Sequence, residues 1–558
     1  MLPLEPPAAL ISQVAPREGA DISINGKKMQ APWRWEESSP PKLWLPLDVL
    51  EAQFGVNKTS AANGNLNLSW FGRDLGVSVQ NQRSLQDEVA VEVGDLFRNL
   101  GVDSKVKTSP VGGSMLELEL PAARVLQVRN SRLQSQLRVV LDLSGPTLVQ
   151  KQGGNLLLNL SNPEIALRGL RQQGLAAQMN GSLLQLSSQG ITNFSLGSPA
   201  RLVFDQPLQR ASTSPPAIEP LAAAANPNAS PAMEQKILNL NGQRYQISFV
   251  RFDPIRSAYA LVPLSRKQME GLGSLTGLAR AQGALVALNG GFFNRVRELP
   301  LGGLREQGAW LSGPILNRGA IAWQIGQQPI FSNVRLEEWL RDSQGNRWPL
   351  GALNSGYVQK GFGHYNSLWG AAYRPITSQE SGWILENGRV IEILSAEQMA
   401  AGVPLRQGSA LVVARGGSQL PLQLGDAVQL QRDVFPEQMN SMPNLLQAGP
   451  LLLNQGQVVL NGAAENFSPA FMEQRAPRSV VAGDGDQVWL IVLEGLDNRG
   501  PTLAESAELL LQLGLKQALN LDGGSSTALL VEGREGKSGR GIGSAIHNGL
   551  GLVVRTNR

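Results

Sequence analysis

Short apolar runs separated by glycine and proline recur along the whole chain, and they constrain its fold more than any other feature. The 558 residues include 61 glycines and 34 prolines, while charged residues make up only 17%. Both residue types interrupt long helices and favour turns. We therefore expect an α+β chain that is rich in short strands and poor in helices. The length is sufficient for several domains.

Composition excludes several functional classes. The formal net charge is only +4, and no basic stripe with interleaved aromatic residues is present, so we expect no nucleic-acid partner. Cysteine is absent and histidine occurs only at His364 and His547, which excludes disulfides, thiol catalysis and histidine-rich metal centres. No apolar run is long enough to cross a bilayer, so we expect no transmembrane segment.

The first module is predicted over residues 19–110. Asn25-Gly26 is a hairpin signal, and Leu47, Leu50 and Phe54 recur at helical spacing before Gly55. Strands with short helices of this kind resemble the small α+β stalk module of copper amine oxidases and of bacterial envelope proteins.

The second module is predicted over residues 111–208 as an all-β sandwich. In the run LRVVLDLSGP, Leu137, Val139 and Leu141 alternate with Arg138 and Val140, as expected for a strand with one buried face. This run and its later echo ARLVFDQP resemble the AMIN domain, which places envelope proteins at peptidoglycan or secretion machinery. A generic β-sandwich without a ligand is an equally good interpretation.

Residues 209–236 are rich in proline and alanine and are predicted to be a linker, and residues 237–558 are predicted to be one large α+β domain with a curved mixed sheet. The envelope-type modules predict a periplasmic or extracytoplasmic protein, although the start MLPLEPPAAL shows no leader peptide. Thr502 and Glu505 form a capping-box pattern ahead of a helix that begins at Leu503.

The segment LNLDGGSSTALL, residues 519–530, carries the strongest chemical signal. Asp522 ends an apolar strand, Gly523 and Gly524 leave the backbone bare, and the hydroxyl residues Ser525, Ser526 and Thr527 follow. A carboxylate beside bare backbone N–H groups suits an oxyanion or phosphate ligand. Taken alone, a tight turn with local hydrogen bonds to the Asp is the commoner explanation.

Three further segments repeat this logic. In ALVALNGGFFNR, a strand ends at Asn289 and is followed by Gly290 and Gly291. In QRAPRSVVAGDGDQVWLIVLEG, an antiparallel hairpin places Arg475 and Arg478 at the same edge as Glu494, where a plain Arg–Glu salt bridge is the alternative. In AIHNGLGLVV, His547 and Asn548 precede the last strand, where a lone histidine is more often structural. The positions are read from the sequence.

Taken in order, these segments resemble the phosphodiester glycosidase family, whose uncovering enzyme removes N-acetylglucosamine from a sugar phosphodiester. The resemblance covers nearly all of residues 237–558. Three departures stand out. Ser525 replaces the third glycine of the family's DGGGS run, Glu494-Gly495-Leu496 replaces Asp-Gly-Arg, and Arg478-Ser479 replaces Arg-Thr. They put the choice of substrate in doubt more than the chemistry.

The resemblance implies an envelope hydrolase that cleaves the glycosidic bond of a sugar-1-phosphodiester, with a phosphate-linked glycan as substrate and peptidoglycan as a partner of the N-terminal modules. Asp522 and Glu494 are the expected carboxylate pair, and Arg478, with Arg475, would hold the phosphate. The remaining candidate substrate-binding residues are Asn289, Gly290, Gly291, Gly523, Gly524, Ser525, Ser526, His547 and Asn548. We expect no cofactor, although the oxygen ligands could hold calcium or magnesium.

Two other interpretations stay open. One is a non-catalytic envelope protein that binds an anionic glycan or a partner through the same domain, and the altered Glu-Gly-Leu run favours it. The other is a metal-dependent phosphodiesterase that attacks phosphorus, which the count of two histidines argues against.

Overall fold

A computed structural model describes residues 15–60, 64–85, 88–108, 114–132, 136–152, 155–188, 191–207, 231–266, 268–357, 360–377, 379–496, 500–532, 534–538 and 544–555. Most of the predicted 209–236 linker lies outside these residues. The architecture is α+β, with many short strands in several sheets and few helices. None of the described helices is both long and apolar enough to cross a membrane.

The first module is built on a seven-stranded sheet. Its strands, in spatial order, are Arg83–Leu85, Glu88–Glu92, Lys42–Pro46, Lys27–Glu36, Arg17–Ile24, Ser114–Glu119 and Asp103–Thr108. Asn25 and Gly26 both have positive φ and form the predicted hairpin turn. Strand Ser114–Glu119 pairs in parallel with Arg17–Ile24, so this sheet continues beyond the predicted boundary at residue 110.

Short helical segments and a small sheet complete this module. The helical segments are Leu47–Val49, which continues as a π-helical turn Leu50–Phe54, the 3₁₀ turn Val79–Asn81, and Gly94–Asn99. Leu47, Leu50 and Phe54 are fully buried, as their spacing predicts. The small sheet contains Asn57–Ser60, Leu66–Trp70 and Arg73–Val77.

The second module contains two four-stranded antiparallel sheets and the helix Pro163–Gln172. One sheet has the order Val125–Arg132, Gln136–Leu143, Arg201–Pro207, Thr192–Leu196, and the other the order Val149–Gln152, Asn155–Leu158, Leu183–Ser187, Ala177–Asn180. Leu137, Val139 and Leu141 are buried as predicted. One hydrophobic core joins residues of both N-terminal modules, because Trp70 and Phe97 belong to the same cluster as Leu141.

The C-terminal part begins with a seven-stranded sheet that leads to Asp522. Its order is Glu234–Leu240, Gln243–Phe252, Val488–Gly495, Arg478–Gly483, Gln517–Asn520, Leu451–Asn454 and Gln457–Val458. All its pairings are antiparallel. After strand Val488–Gly495 the chain passes through the helix Leu503–Gln512 and returns as strand Gln517–Asn520. Strand Arg478–Gly483 lies between these two strands and is antiparallel to both. This sheet is therefore wholly antiparallel, and the mixed sheet predicted for this part of the chain is a different one, described below.

Three further large sheets complete this part. The first has the order Tyr259–Leu264, Gly549–Val554, Val286–Asn289, Ala528–Val531, Arg534–Ser538. The second has the order Ala309–Ser312, Leu304–Glu306, Asn444–Gln447, Gly319–Trp323, Ile330–Asn333. The third has the order Arg389–Leu394, Ser381–Glu386, Ser409–Arg415, Gly361–Asn366, Arg347–Leu353, Arg335–Asp342, Val428–Phe435, and its one parallel pair makes it mixed.

The remaining elements are short. Two-stranded pairs are formed by Phe293–Asn294 with Leu299–Pro300 and by Ala372–Tyr373 with Val403–Pro404. The helices are Leu275–Ala281, Ala396–Ala400, Glu437–Asn440, Pro469–Glu473, Leu503–Gln512 and the 3₁₀ turn Gly524–Ser526. The predicted capping box is confirmed, since Thr502 Oγ1 accepts from the Glu505 N–H at 3.2 Å and Glu505 Oε2 accepts from the Thr502 N–H at 2.9 Å.

Candidate functional site

A cavity of about 430 Å³ lies where the Asp522 loop meets the first module. Its charged lining residues come from distant parts of the chain, and its apolar wall is aromatic. The charged residues are Asp48, Glu88, Arg295, Arg318, Arg478 and Asp522, and the aromatic residues are Phe292, Phe293, Phe467 and Phe471. The lining also includes Gly523, Gly524, Ser525 and Ser526 from the predicted loop.

Asp522 has the electrostatic character of a reactive carboxyl group. Burial in the protein raises its pKa to about 6, although a hydrogen bond from Ser526 and the charge of Arg295 act in the opposite direction. The nearby carboxylate of Asp48 raises the pKa further. A carboxyl group with a pKa near 6 can exchange a proton at neutral pH, which a general acid or base must do.

Asn289 fixes the loop that carries Asp522. Its Nδ2 donates to the Asp522 main-chain carbonyl at 2.6 Å, while its Oδ1 accepts from Ser479 Oγ at 2.6 Å and from the Ala528 N–H at 3.0 Å. Asn289 is fully buried and these contacts join three strands. It was predicted to contact the sugar, but it does not line the cavity, and its polar atoms serve to position the loop.

Gly290 and Gly291 also act through packing. The Gly291 N–H donates to Asn548 Oδ1 at 2.7 Å, and the Gly290 N–H donates to the Asn548 carbonyl at 2.9 Å. A Cβ on Gly290 would lie 2.3 Å from Asn548 Oδ1. These N–H groups are therefore already paired within the protein, because Asn548 takes the place that the prediction gave to the substrate.

The backbone of Gly523 and Gly524 is likewise used internally. The Gly523 N–H bonds to the Asp522 carboxylate, and the Gly524 N–H donates to the Pro477 carbonyl at 2.9 Å. A Cβ on Gly523 would approach that same carbonyl to 2.9 Å. The glycines let the Asp522 loop pack against the segment that precedes Arg478.

Arg478 and Glu494 do not face each other as the sequence suggested. Arg478 lies opposite Leu493 in the hairpin, so Glu494, one residue later, points to the other face of the sheet. Arg478 is 1% exposed and lines the cavity, whereas Glu494 does not. The two residues share an edge of the sheet, but the structure does not bring Glu494 to Asp522.

Arg475 and His547 lie outside the cavity lining. The Arg475 guanidinium forms a salt bridge with Glu505 at 2.6 Å, in the cap of the helix Leu503–Gln512. His547 Nε2 bonds to the Met269 carbonyl at 2.7 Å, and burial lowers the pKa of His547 to about 4. His547 is thus a neutral core residue. The other histidine, His364, is buried beside Glu338 at 3.1 Å and lines a separate cavity.

The sequence interpretation did not identify two cavity arginines. Arg295 follows the predicted NGGFFN run, and its Nη2 lies 3.4 Å from Ser526 Oγ. The Arg318 guanidinium lies 3.9 Å from the ring centre of Phe467 and donates to the main-chain carbonyls of Glu465 and Asn466. Burial lowers the pKa of Arg318. Arg295 was adjacent to a recognised motif, whereas nothing in the local sequence marks Arg318.

Asp48 is a further cavity residue that the sequence did not indicate, and it lies in the first module. Its Oδ1 forms a salt bridge with Arg295 Nε at 2.7 Å, and its Oδ2 accepts hydrogen bonds from Ser525 and Ser544. Glu88, Phe467 and Phe471 were not indicated either. Within the described ranges, no group of three or more acidic or histidine side chains is placed to hold a metal ion.

Part of the C-terminal region matches a known protein family. Residues 352–553 match the family model described as phosphodiester glycosidase. A hypothetical protein from Synechocystis is 29% identical, with a TM-score of 0.57, over 97% of this chain and 99% of that one. This chain thus shares its fold with that protein over nearly its whole length. None of the curated proteins matches.

Two weaker structural similarities were found. A Burkholderia pseudomallei protein described as exported is 15% identical, with a TM-score of 0.46, over 76% of this chain and 96% of that one. The zebrafish N-acetylglucosamine-1-phosphodiester alpha-N-acetylglucosaminidase catalytic domain, auto-inhibited by its pro-peptide, is also 15% identical, with a TM-score of 0.32, over 60% and 86% of the two chains.

Proposed function

We propose that the protein is a hydrolase that cleaves the glycosidic bond of a sugar-1-phosphodiester in the cavity around Asp522. The observation that carries this proposal is the combination of a carboxyl group of pKa about 6 with three arginines in one cavity. A phosphodiester supplies an anionic leaving group for the arginines and an anomeric carbon for a water molecule. The match of residues 352–553 to the phosphodiester glycosidase family supports the same reaction class.

The arginines would act on the leaving group. When the bond between the anomeric carbon and the phosphate oxygen breaks, a second negative charge develops on the phosphate. Guanidinium groups hold such oxygens with paired hydrogen bonds and stabilise the developing charge. Arg478 is buried and Arg318 is partly buried, and their guanidinium groups lie over Phe471 and Phe467 of the aromatic wall, where their charge is screened less than in water.

Asp522 would act as the base. Phosphate is a good leaving group and needs little protonation. The reaction therefore depends more on removal of a proton from the attacking water. A carboxylate with a pKa raised to about 6 is a stronger base than an ordinary one and is mostly ionised at pH 7. Water would then add to the anomeric carbon, the sugar would leave with a new hydroxyl group, and a phosphomonoester would remain.

The aromatic wall would bind the sugar. The rings of Phe467 and Phe471 are stacked with centres 4.9 Å apart, and Phe292 lies beside them at 5.7 Å from Phe467. Flat aromatic surfaces suit the apolar faces of sugar rings. A volume of about 430 Å³ can hold one sugar and its phosphate, so we propose that this part of the substrate enters the cavity.

The cellular setting is part of the proposal. The resemblance of the N-terminal modules to stalk and AMIN modules supports an extracytoplasmic location and a phosphate-linked glycan of the envelope as substrate.

The test is sugar release from N-acetylglucosamine-1-phosphate methyl ester and related diesters of both anomers by the full chain. The wild type should turn over at least one diester, and Asp522→Asn should be slower by a factor of about 10² to 10⁴ while it stays folded. Tight binding of the diester without turnover would support instead a non-catalytic glycan-binding protein. Equal turnover by the variant would show that Asp522 is not the base.

A further inference from the structure

The first module holds the loop of the C-terminal domain that carries Arg295. Lys58 Nζ donates to the Arg295 carbonyl at 2.9 Å and forms a salt bridge with Glu298 at 2.8 Å. Ser60 Oγ donates to the Val296 carbonyl at 2.6 Å, and the Val296 side chain belongs to the hydrophobic core of the N-terminal modules. The loop that carries Arg295 therefore packs against the first module.

Asp48 makes the most direct contact of the first module with the site. Its side chain is only 4% exposed, so an unpaired charge there would be strongly unfavourable. The salt bridge from Arg295 and the hydroxyl hydrogen bonds from Ser525 and Ser544 satisfy both carboxylate oxygens. All three partners belong to the C-terminal domain, so these polar contacts of the Asp48 carboxylate join the first module to that domain.

These contacts continue to Asp522. Arg295 reaches Ser526 at 3.4 Å, Ser526 hydrogen bonds to the Asp522 carboxylate, and Ser525 belongs to the same 3₁₀ turn Gly524–Ser526. If Asp48 were absent, Arg295 would be free to turn toward the Asp522 carboxylate as its main partner. Asp48 thus keeps one cation oriented and prevents it from neutralising the proposed base.

We propose that Asp48, supplied by the first module, is a positioning residue of the phosphodiester site: it holds Arg295 and the Ser525 turn in the arrangement that the reaction requires. This inference rests on the proposed function. The first module would therefore complete the active site and not only attach the enzyme to the envelope. The cavity would have its reactive form only when the first module is docked.

The experiment compares full-length wild type, Asp48→Asn and Glu298→Gln with the diester substrate. Asn keeps the shape of Asp48 and can still accept from a serine, but it cannot form the salt bridge with Arg295. Glu298→Gln is the matched control, because it weakens the Lys58 contact at the same interface without altering a cavity side chain. Thermal unfolding of each variant shows whether the fold is retained.

We expect Asp48→Asn to lower kcat by about 10- to 100-fold with a smaller change in KM, while Glu298→Gln stays within about twofold of the wild type. The pH midpoint of kcat should also fall. The charged groups that line the cavity with Asp522 are Asp48, Glu88, Arg295, Arg318 and Arg478. The Asp48 charge raises the pKa of Asp522 and the Arg295 charge lowers it, so loss of the Asp48 charge should lower this pKa. A role in the interface alone would not move this midpoint.

A double variant separates the positioning role from folding. If Asp48 acts through Arg295, adding Asp48→Asn to the Arg295→Gln variant should have little further effect on kcat. The double variant also contains no unpaired buried charge at these two positions. Additive effects, or unchanged kcat and pH midpoint in Asp48→Asn, would overturn the proposal. A rise in kcat would also overturn it, since Asp48 would then be blocking the substrate. If the wild type itself releases no sugar, the proposed function fails and this inference fails with it.

Discussion

The Asp522→Asn substitution should stabilise the protein at neutral pH while it removes activity. In the folded protein the pKa of Asp522 is raised from 3.8 to about 6, so the native state binds the proton more tightly than the unfolded chain does. The native state therefore loses stability as the pH rises through this window. Each unit of difference corresponds to about 1.4 kcal/mol, which gives about 3 kcal/mol at pH 7 and above.

The assay is chemical denaturation of the wild type and Asp522→Asn at pH 7.5 and at pH 4. The neutral Asn side chain needs no proton, so the variant should have the larger free energy of unfolding at pH 7.5, by up to about 3 kcal/mol. The difference should nearly vanish at pH 4, where Asp522 is largely protonated in the native state. A variant that is less stable at pH 7.5, or a difference that does not change with pH, would refute the raised pKa of Asp522.

Three further predictions concern the arginines, the glycine turn and the buried histidine. Arg318→Met should lower kcat/KM for a sugar phosphodiester by about 10²-fold but should change hydrolysis of a sugar with an uncharged leaving group little, and equal losses in steady-state assays would contradict a phosphate role. Gly290→Ala should destabilise the fold by about 2 kcal/mol, because its Cβ would lie 2.3 Å from Asn548 Oδ1, and an unchanged melting temperature would contradict the packing role. His547 has a pKa lowered to about 4, so the stability it provides is lost as the pH falls from about 6.5 to 4; His547→Gln should reduce this acid loss, as pH-dependent denaturation would show.

Local sequence patterns predicted the elements that depend on near neighbours. The Asn25-Gly26 hairpin, the buried alternation around Val139 and the capping box of Thr502 with Glu505 all arise from interactions within a few residues. The carboxylate followed by two glycines also drew attention to the Asp522 loop, although this pattern taken alone favours a tight turn. The family match over residues 352–553 agrees with the resemblance that the ordered segments of the C-terminal part suggested.

Contacts between residues that are far apart in the chain could not be predicted from local sequence patterns. Asp48 meets Ser525 across 477 positions of the chain, and no local pattern indicates that contact. The contact also gives a physical reason for one departure from the family pattern, because a glycine at position 525 could not donate a hydroxyl to Asp48. Glu494 and Arg478 were expected together because they share a sheet edge, but strand alternation places them on opposite faces.

The glycine motifs illustrate a second limit. The sequence predicted that the bare backbone at Gly290, Gly291 and Gly523 faces a bound ligand. Such a pattern does not distinguish a ligand from another part of the protein, and the structure shows Asn548 and Pro477 in that position. Bare backbone near a carboxylate is therefore as typical of tight internal packing as of ligand binding.

The position of bond cleavage is the most direct test of the central claim. The full-length protein would turn over a sugar-1-phosphodiester in oxygen-isotope-labelled water, and the phosphomonoester product would be analysed by mass spectrometry. The phosphate is the better readout, because the anomeric hydroxyl of the free sugar can exchange with water. The account predicts an unlabelled phosphate, since water attacks the anomeric carbon. A labelled phosphate would mean attack at phosphorus and would contradict a phosphodiester glycosidase.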